Sequence, residues 1–264
     1  MLTKVSVIMP TFNSRAHIEE AIYSVLAQTY QNIELIVVDG GSTDGTIELI
    51  REVSSEDDRI QYVNNIDDAG PAHARHAGIQ FCTGDYVAFL DADDYWLPEK
   101  TEKQLHFMQE NDVQFSYTGY RSVDEYGGNI SCPVLMRDSY DLREALIYRG
   151  IGILTVMLER ELLTAEITNS STPFAEDYLW WLLILQQGHI ARYVNIDAAR
   201  YRKIKNSRSK NRLKHQISLW NIYTENLGIN VPSAAFYYTI YIINTAIAKT
   251  RTAFCSLFYK RDYA

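Results

Sequence analysis

The chain predicts an α/β protein built on a mostly parallel sheet with helices on both faces. Three observations carry this expectation. Through the first 110 residues, strand-length apolar runs alternate with stretches of helical periodicity. The runs are nearly continuous in Val, Ile, Leu and Phe, as in strands covered on both sides. Each run ends in a polar turn of Asp, Asn, Gly or Pro that separates it from the next helix. With 264 residues, 47% hydrophobic and 22% charged, the chain can form one large domain and an appendage.

The elements follow in order. Val5-Ser6-Val7-Ile8-Met9 is a strand, expected to stop at Pro10. Ala16 to Gln28 places Ile18, Ala21, Ile22, Val25 and Leu26 on one helical face. Glu34 to Val38 is the second strand and ends at Asp39-Gly40-Gly41; Ser42 or Thr43 then caps a helix running to Val53. Ile60 to Val63 is a short strand, Gly70 to Phe81 a helix, and Tyr86 to Leu90 a buried strand entered through Thr83-Gly84-Asp85. Glu99 to Asn111 is helical. The stretch from Phe115 to Pro173 is less regular, with a hairpin expected at Tyr126-Gly127-Gly128 and a helix near Leu142 to Tyr148. Tyr178 to Gln187 is strongly apolar and reads as a buried helix, ended by Gly188. There is no internal repeat and no low-complexity linker.

A net charge of −8 argues against a general nucleic-acid binder. The charge is segregated. Eight basic residues and no acid lie between Arg200 and Lys214, whereas the other 17 basic residues face 33 acidic ones. Such a patch suits an anionic partner at one place, or else is a solvated loop. The three cysteines, Cys82, Cys132 and Cys255, have neither a disulfide framework nor a zinc spacing, so we expect a reducing compartment. The amino terminus enters a strand almost at once, and we expect no secretory leader.

From Leu213 onward the chain looks helical and carries the aromatic stretch Phe236-Tyr237-Tyr238-Thr239-Ile240-Tyr241-Ile242-Ile243. Pro232, Asn244 and several Thr and Tyr residues make Val231 to Ala248 too polar for a span, which needs about 20 mainly apolar residues. The pattern fits an interfacial helix flanked by Lys249 and Arg251. The remaining alternative is a helix packed on the main domain or on a second copy of the chain.

The chemistry concentrates at Asp91-Ala92-Asp93-Asp94, directly after the fourth strand. Like charges a few ångströms apart repel, so one carboxyl takes up a proton or all share a cation. Mg²⁺ or Mn²⁺ with oxygen ligands and a nucleotide diphosphate would relieve the repulsion. The plain alternative is an acidic turn leading into the next helix. Pro10, Thr11 and Asn13 after the first strand, Asp39 after the second, and Arg75 in the helix after Gly70 are expected at the same sheet edge, where open α/β sheets bind ligands. One nucleotide could meet them all. Thr11 and backbone would hold a base edge, Asp39 would accept from a base N–H, and Asp91 from ribose hydroxyls. A metal on Asp93 would carry the diphosphate, assisted by Arg75.

Together, Val5 to Asn13, Val37-Val38-Asp39-Gly40-Gly41-Ser42-Thr43-Asp44-Gly45-Thr46, Gly70-Pro71-Ala72-His73-Ala74-Arg75 and Phe89-Leu90-Asp91-Ala92-Asp93-Asp94 resemble glycosyltransferase family 2. The match is strong over residues 3 to 100 and returns at Glu176-Asp177 and Tyr201-Arg202. The resemblance implies the GT-A fold, a Rossmann-like sheet, with an inverting mechanism, a nucleotide-sugar donor and Mn²⁺ or Mg²⁺. Ala92 belongs to the implied donor site. Domain limits follow: 1–212 for the GT-A domain, its nucleotide-binding half about 1–100 and its acceptor half about 101–212, then a helical extension over 213–264.

An inverting transfer needs a base opposite the leaving diphosphate. Glu176-Asp177, before Tyr178-Leu179-Trp180-Trp181, is similar to the family's acidic pair. That likeness makes Asp177 the base and Glu176 an acceptor or supporting residue. Trp180 is either a sugar-stacking platform or helix core. Tyr201-Arg202-Lys203-Ile204 departs from the family's Tyr-Arg-x-His pattern, because Ile204 fills the histidine slot. Arg202, Lys203 or Lys205 would compensate at the diphosphate. The last helices resemble bacterial teichuronic-acid and O-antigen enzymes. That resemblance implies a polyprenyl-diphosphate-linked saccharide acceptor and a peripheral position on the cytoplasmic face of the membrane. The rival readings are a sugar nucleotidyltransferase, which would want a Gly-rich loop after Met9, and a non-catalytic saccharide-binding protein on the same fold.

Overall fold

The computed structural model describes residues 3–65, 70–128, 130–134, 136–148, 150–170, 172, 174–204 and 212–259. The first half alternates β1 (Val5–Thr11), α1 (Ile18–Leu26), β2 (Ile33–Asp39), α2 (Thr46–Glu56), β3 (Ile60–Asn64), α3 (Pro71–Ile79) and β4 (Tyr86–Phe89). Then come β5 (Tyr95–Trp96), α4 (Lys100–Glu110), β6 (Phe115–Val123), β7 (Ser139–Tyr140), α5 (Leu142–Ile147), β8 (Val156–Glu159), α6 (Ala165–Thr168), α7 (Glu176–Gln186) and β9 (Ala191–Arg202). α8 (Arg212–Asn221) runs through a π-helical turn, Ile222–Asn226, toward the long α9 (Val231–Tyr259).

One sheet runs β3-β2-β1-β4-β8-β6-β9-β5, with β7 beside β9. β3, β2, β1 and β4 are parallel, as expected. The second half is mixed: β8 is antiparallel to β4 and β6, whereas β6 and β9 are parallel. Strand order reverses between β1 and β4, the place where such sheets open a crevice at the carboxyl ends of their strands. β1 does not stop at Pro10. It continues to Thr11, in register with Asp39, because β4 pairs β1 only as far as Ile8 and the proline lies beyond that ladder.

Alternation along β1 splits the core. Val5, Val7 and Met9 face a cluster with α1, α2 and α4, whereas Ile8 faces the cluster that holds α3, α5 and α7. α3 lies close on this second face because residue 78 is glycine. A Cβ there would sit 2.7 Å from Ile8 and 3.1 Å from Val38. The turn over Asp124–Gly128 forms, and Ser131 and Val134 of the returning chain bond Ser122 and Tyr120, but among the described residues it makes no strand. The α2 cap also differs. Asp44 accepts from Thr46 at the helix start, which leaves Ser42 for other work.

The carboxyl-terminal helices pack on the α5 and α7 face. Tyr241 is buried, and Asn244 Nδ2 donates to the Ile147 carbonyl at 2.8 Å. The opposite face of α9 leaves Phe236 62% and Ile243 53% exposed. Among the described residues, no helix is long and apolar enough to cross a membrane. Contrary to the expectation from spacing, Cys132 and Cys255 form a disulfide. They stand 123 residues apart, so only the packing of α9 beside the segment after β6 brings them together. Cys82 is free and buried.

Lys100 is wholly buried, with Nζ 2.8 Å from Gln104 Oε1 and 3.9 Å from the centre of the Trp96 ring. Burial pulls its pKa from 10.5 down to about 7, against the pull of the ring face on the charged form. The folded state therefore sheds this proton before the unfolded state does. Stability rises between these two values by about 1.4 kcal/mol per pH unit and is lowest below them. Replacing Lys100→Met should raise the melting temperature most below about pH 7, with the gain shrinking toward pH 10. Paired thermal melts over that range are the check, and a gain independent of pH would contradict it.

Candidate active site

The carboxyl ends of β2, β1 and β4 lie side by side, which brings Asp39, Thr11 and Asp91 to one edge. Asp39 is fully buried and organises the first turn. Its Oδ1 accepts from the backbone N–H groups of Gly41 and Ser42, both at 2.9 Å, and its Oδ2 from the Ser42 hydroxyl. The same Ser42 Oγ accepts from Asn13 N–H at 2.8 Å, and Asn13 Oδ1 accepts from Thr43 N–H at 2.9 Å. Asn13 holds the left-handed conformation (φ 49°) that this interlock requires, at little cost for asparagine. Asp39 was expected to face a base N–H. In the structure its carboxylate is enclosed by the turn it shapes. Thr11 Oγ1 is buried here with no hydrogen-bond partner among the described residues.

Asp91, Asp93 and Asp94 offer carboxylate oxygens that lie within 4.8 Å of one another. Such a set of hard oxygen donors suits Mg²⁺ or Mn²⁺. Burial, then the charge of Asp91, pushes the Asp93 carboxyl up to about 6. Burial, then Asp93 and Asp91, takes Asp94 well above the ordinary range. The repulsion expected from the sequence thus appears as raised proton affinity on the two inner carboxyls.

Arginines hold this turn from two sides. Arg202, at the end of β9, donates its backbone N–H to Asp94 Oδ1 at 2.8 Å and its Nε to the Asp93 carbonyl at 2.8 Å. Its Nη1 reaches the Glu125 carbonyl at 2.9 Å and its Nη2 pairs with Glu20. The Arg202 side chain, expected to meet the diphosphate, is 2% exposed and packs against the carboxylate turn. Glu20 and Glu125 escaped the sequence reading. Glu20 reads as one of two adjacent acids in the first turn of α1, a pattern usually left to solvent, and Glu125 takes part only through its backbone carbonyl, which side-chain type does not signal.

Arg75 closes the other side. Nη2 donates to Asp91 Oδ1 at 2.6 Å, and Nη1 pairs with Glu176 in the first turn of α7. Burial opposes its charge, but Asp91, Glu176 and Asp177 keep the guanidinium protonated. Burial pushes Glu176 up, against the pull of Arg75. The Asp177 carboxylate makes no hydrogen bond among the described residues. Trp180 is core: it is 1% exposed, packs near Phe89 and donates its indole N–H to the Ser170 carbonyl at 3.2 Å, so it offers no face to a sugar. Ile204 follows β9, whereas Lys205 and the rest of the basic segment to residue 211 lie outside the described residues.

The strand-order reversal, the triple carboxylate turn and the acidic helix start tied to it by Arg75 fit the GT-A fold. The profile of glycosyl transferase family 2 matches residues 6–154. TuaG of Bacillus subtilis (strain 168), a glycosyltransferase assigned by name to teichuronic acid biosynthesis, is 37% identical over 240 residues, 91% of this chain and 95% of that one. WfgD of Escherichia coli, named UDP-Glc:alpha-D-GlcNAc-diphosphoundecaprenol beta-1,3-glucosyltransferase, is 35% identical over 251 residues, 93% of this chain and 94% of that one. Among solved structures, S. aureus TarS 1-349 in complex with UDP-GlcNAc superposes with a TM-score of 0.68 at 20% identity, over 92% of this chain and 71% of that one. The longer TarS chain is covered over 43% of its length. The mannosyltransferase PcManGT from Pyrobaculum calidifontis, in complex with GDP-Man and Mn2+, has a TM-score of 0.65 at 20% identity, over 99% of this chain and 76% of that one. The chain belongs to glycosyl transferase family 2 and is a glycosyltransferase.

Proposed function

We propose that this protein is an inverting transferase that moves one sugar from a UDP-linked donor to a saccharide on a polyprenyl diphosphate, in the synthesis of bacterial surface polysaccharide. The observation that carries this reading is the meeting of two acidic groups of different kinds at Arg75: the carboxylate turn after β4 and the first turn of α7. A single displacement needs both, one to hold a cation that would offset charge on the leaving diphosphate and one to take the acceptor's proton. The name of WfgD supports the donor and acceptor classes, since it prints a UDP-glucose donor, a diphosphoundecaprenol acceptor and a beta linkage.

In this reading Pro10, Thr11 and Asn13, on the turn held by Asp39, form the nucleobase end, where the unpartnered Thr11 hydroxyl supplies a hydrogen-bonding group. Asp91 and the Ala92 backbone face the ribose. Asp93, within the Asp91, Asp93 and Asp94 set, would hold the divalent cation, Mn²⁺ or Mg²⁺. When bound, such a cation offsets charge on the departing diphosphate. Asp177 accepts the acceptor hydroxyl's proton as that oxygen attacks the anomeric carbon. The bond from this carbon to the diphosphate oxygen breaks, its electron pair stays with the diphosphate, and configuration inverts. Glu176, tied to Arg75, is the less available of the two acids. Residues 1–212 form the catalytic domain and 213–264 the helical extension. The outer face of α9, with Phe236, Ile243 and Ile247 exposed ahead of Lys249 and Arg251, rests on the cytoplasmic leaflet.

The first test is a melting panel of UDP, GDP, dTDP and CMP with Mn²⁺ or EDTA. A ligand at about 100 times its Kd adds about 2.7 kcal/mol of stability. We expect a shift with UDP and Mn²⁺ that EDTA and Asp93→Ala both remove; no shift with any nucleotide would count against the donor site. Asp177→Asn should keep that shift and lose transfer by roughly 100- to 10,000-fold. Wild-type turnover in Asp177→Asn would remove it from the role. Flotation with phosphatidylglycerol vesicles should capture the protein, and Phe236→Ser with Ile243→Ser should release it. Failure to float, with a dimer by light scattering, would assign the face to a second copy.

A further inference from the structure

We propose that Arg75 is a positioning residue that fixes the first turn of α7, and with it Asp177, relative to the donor site, rather than a ligand of the diphosphate. The inference rests on the reading of Asp177 as base. Four observations support it. The guanidinium is 5% exposed, and both of its terminal nitrogens are engaged: Nη2 by Asp91 Oδ1 at 2.6 Å and Nη1 by Glu176. Nε is buried with no partner among the described residues. The two bonds join segments 16 and 101 residues away in the chain, the end of β4 and the start of α7. A planar fork held at both tips sets distance and orientation at once, which a lysine does not.

The start of α7 also needs an outside tie. Its N-cap position is Ala175, in the left-handed region at φ 62°, and no side chain caps the helix. A non-glycine residue there is strained, and the first N–H groups lack the usual cap. The bond from Arg75 to Glu176 is the charged contact that holds this turn against the sheet. α3 can deliver it because Gly78, one turn along, lets the helix approach Ile8 and Val38. Asp177 is the next residue after the anchored one. A misplacement of about 1 Å in a reacting group costs on the order of 100-fold in rate.

The test uses the full chain with Arg75→Met, Arg75→Lys, Glu176→Gln and the double variant Arg75→Met/Glu176→Gln. Two readouts are taken: hydrogen exchange of the backbone amides at 176–180, and UDP affinity with Mn²⁺ beside transfer kinetics. We expect exchange at the α7 start to rise on the order of 10-fold in both single Arg75 variants. UDP affinity should stay within about threefold of wild type, while kcat falls on the order of 100-fold. Lysine should not rescue, and the double variant should be no slower than the slower single one. Unchanged exchange at 176–180 would overturn the proposal. So would a tenfold or greater loss of UDP affinity confined to the Arg75 variants, which would make Arg75 a diphosphate ligand. Glu176→Gln nearly preserves shape, so the proposal stays testable if Arg75→Met unfolds. A wild-type protein that binds no nucleotide would instead count against the proposed function, and the exchange experiment would still decide the tie.

Discussion

Three carboxylates on one four-residue turn are the constraint around which the second half of this molecule is arranged. Crowded at the rim of a buried sheet, they repel one another, and burial adds the cost of removing charge from water. The protein answers with two arginines drawn from distant segments. Arg202 supports the turn from behind through Asp93 and Asp94, and Arg75 holds it from the front through Asp91. The raised proton affinity of Asp93 and Asp94 shows that these arginines do not cancel the crowding. What remains is a set of oxygens with a residual demand for positive charge, which is the property a divalent cation site needs.

Both arginines also anchor other elements, so the turn is a hub. Through Arg202 it is joined to α1 at Glu20 and to the turn after β6 at Glu125. Through Arg75 it is joined to α7. The layering makes this possible. α3 and α7 lie on the same face of the sheet and share one core cluster, so their polar ends meet at the same edge. Trp180 and Trp181 fill that cluster beneath the acidic turn, against Phe89 of β4. Their work is to give α7 a rigid seat against β4.

Much of the first half was legible from residues alone. Continuous apolar runs marked β1 to β4, and turn residues marked their ends, because a parallel strand buried on both faces leaves no polar alternation to confuse the reading. The second half was not. β6, β8 and β9 carry mixed patterns, and the twelve residues of β9 alternate only in part. Their pairing is long-range, between segments whose local propensities do not select each other. The same limit explains the disulfide between Cys132 and Cys255, since spacing along the chain says nothing of two positions that meet only when α9 docks.

Residue types and local order determined which groups carry the chemistry: the acidic tetrapeptide, the polar ends of β1 and β2, Arg75 and the acids opening α7. Short-range periodicity and turn chemistry are sufficient for that. The tertiary structure alone decided what each group touches. Asp39 and Arg202 are enclosed against the turns they hold, Trp180 is core, and Arg75 stands between Asp91 and Glu176. The reason is physical. A side chain's charge and shape are local properties. Its burial and its partners depend on which remote segments the sheet brings to the same edge.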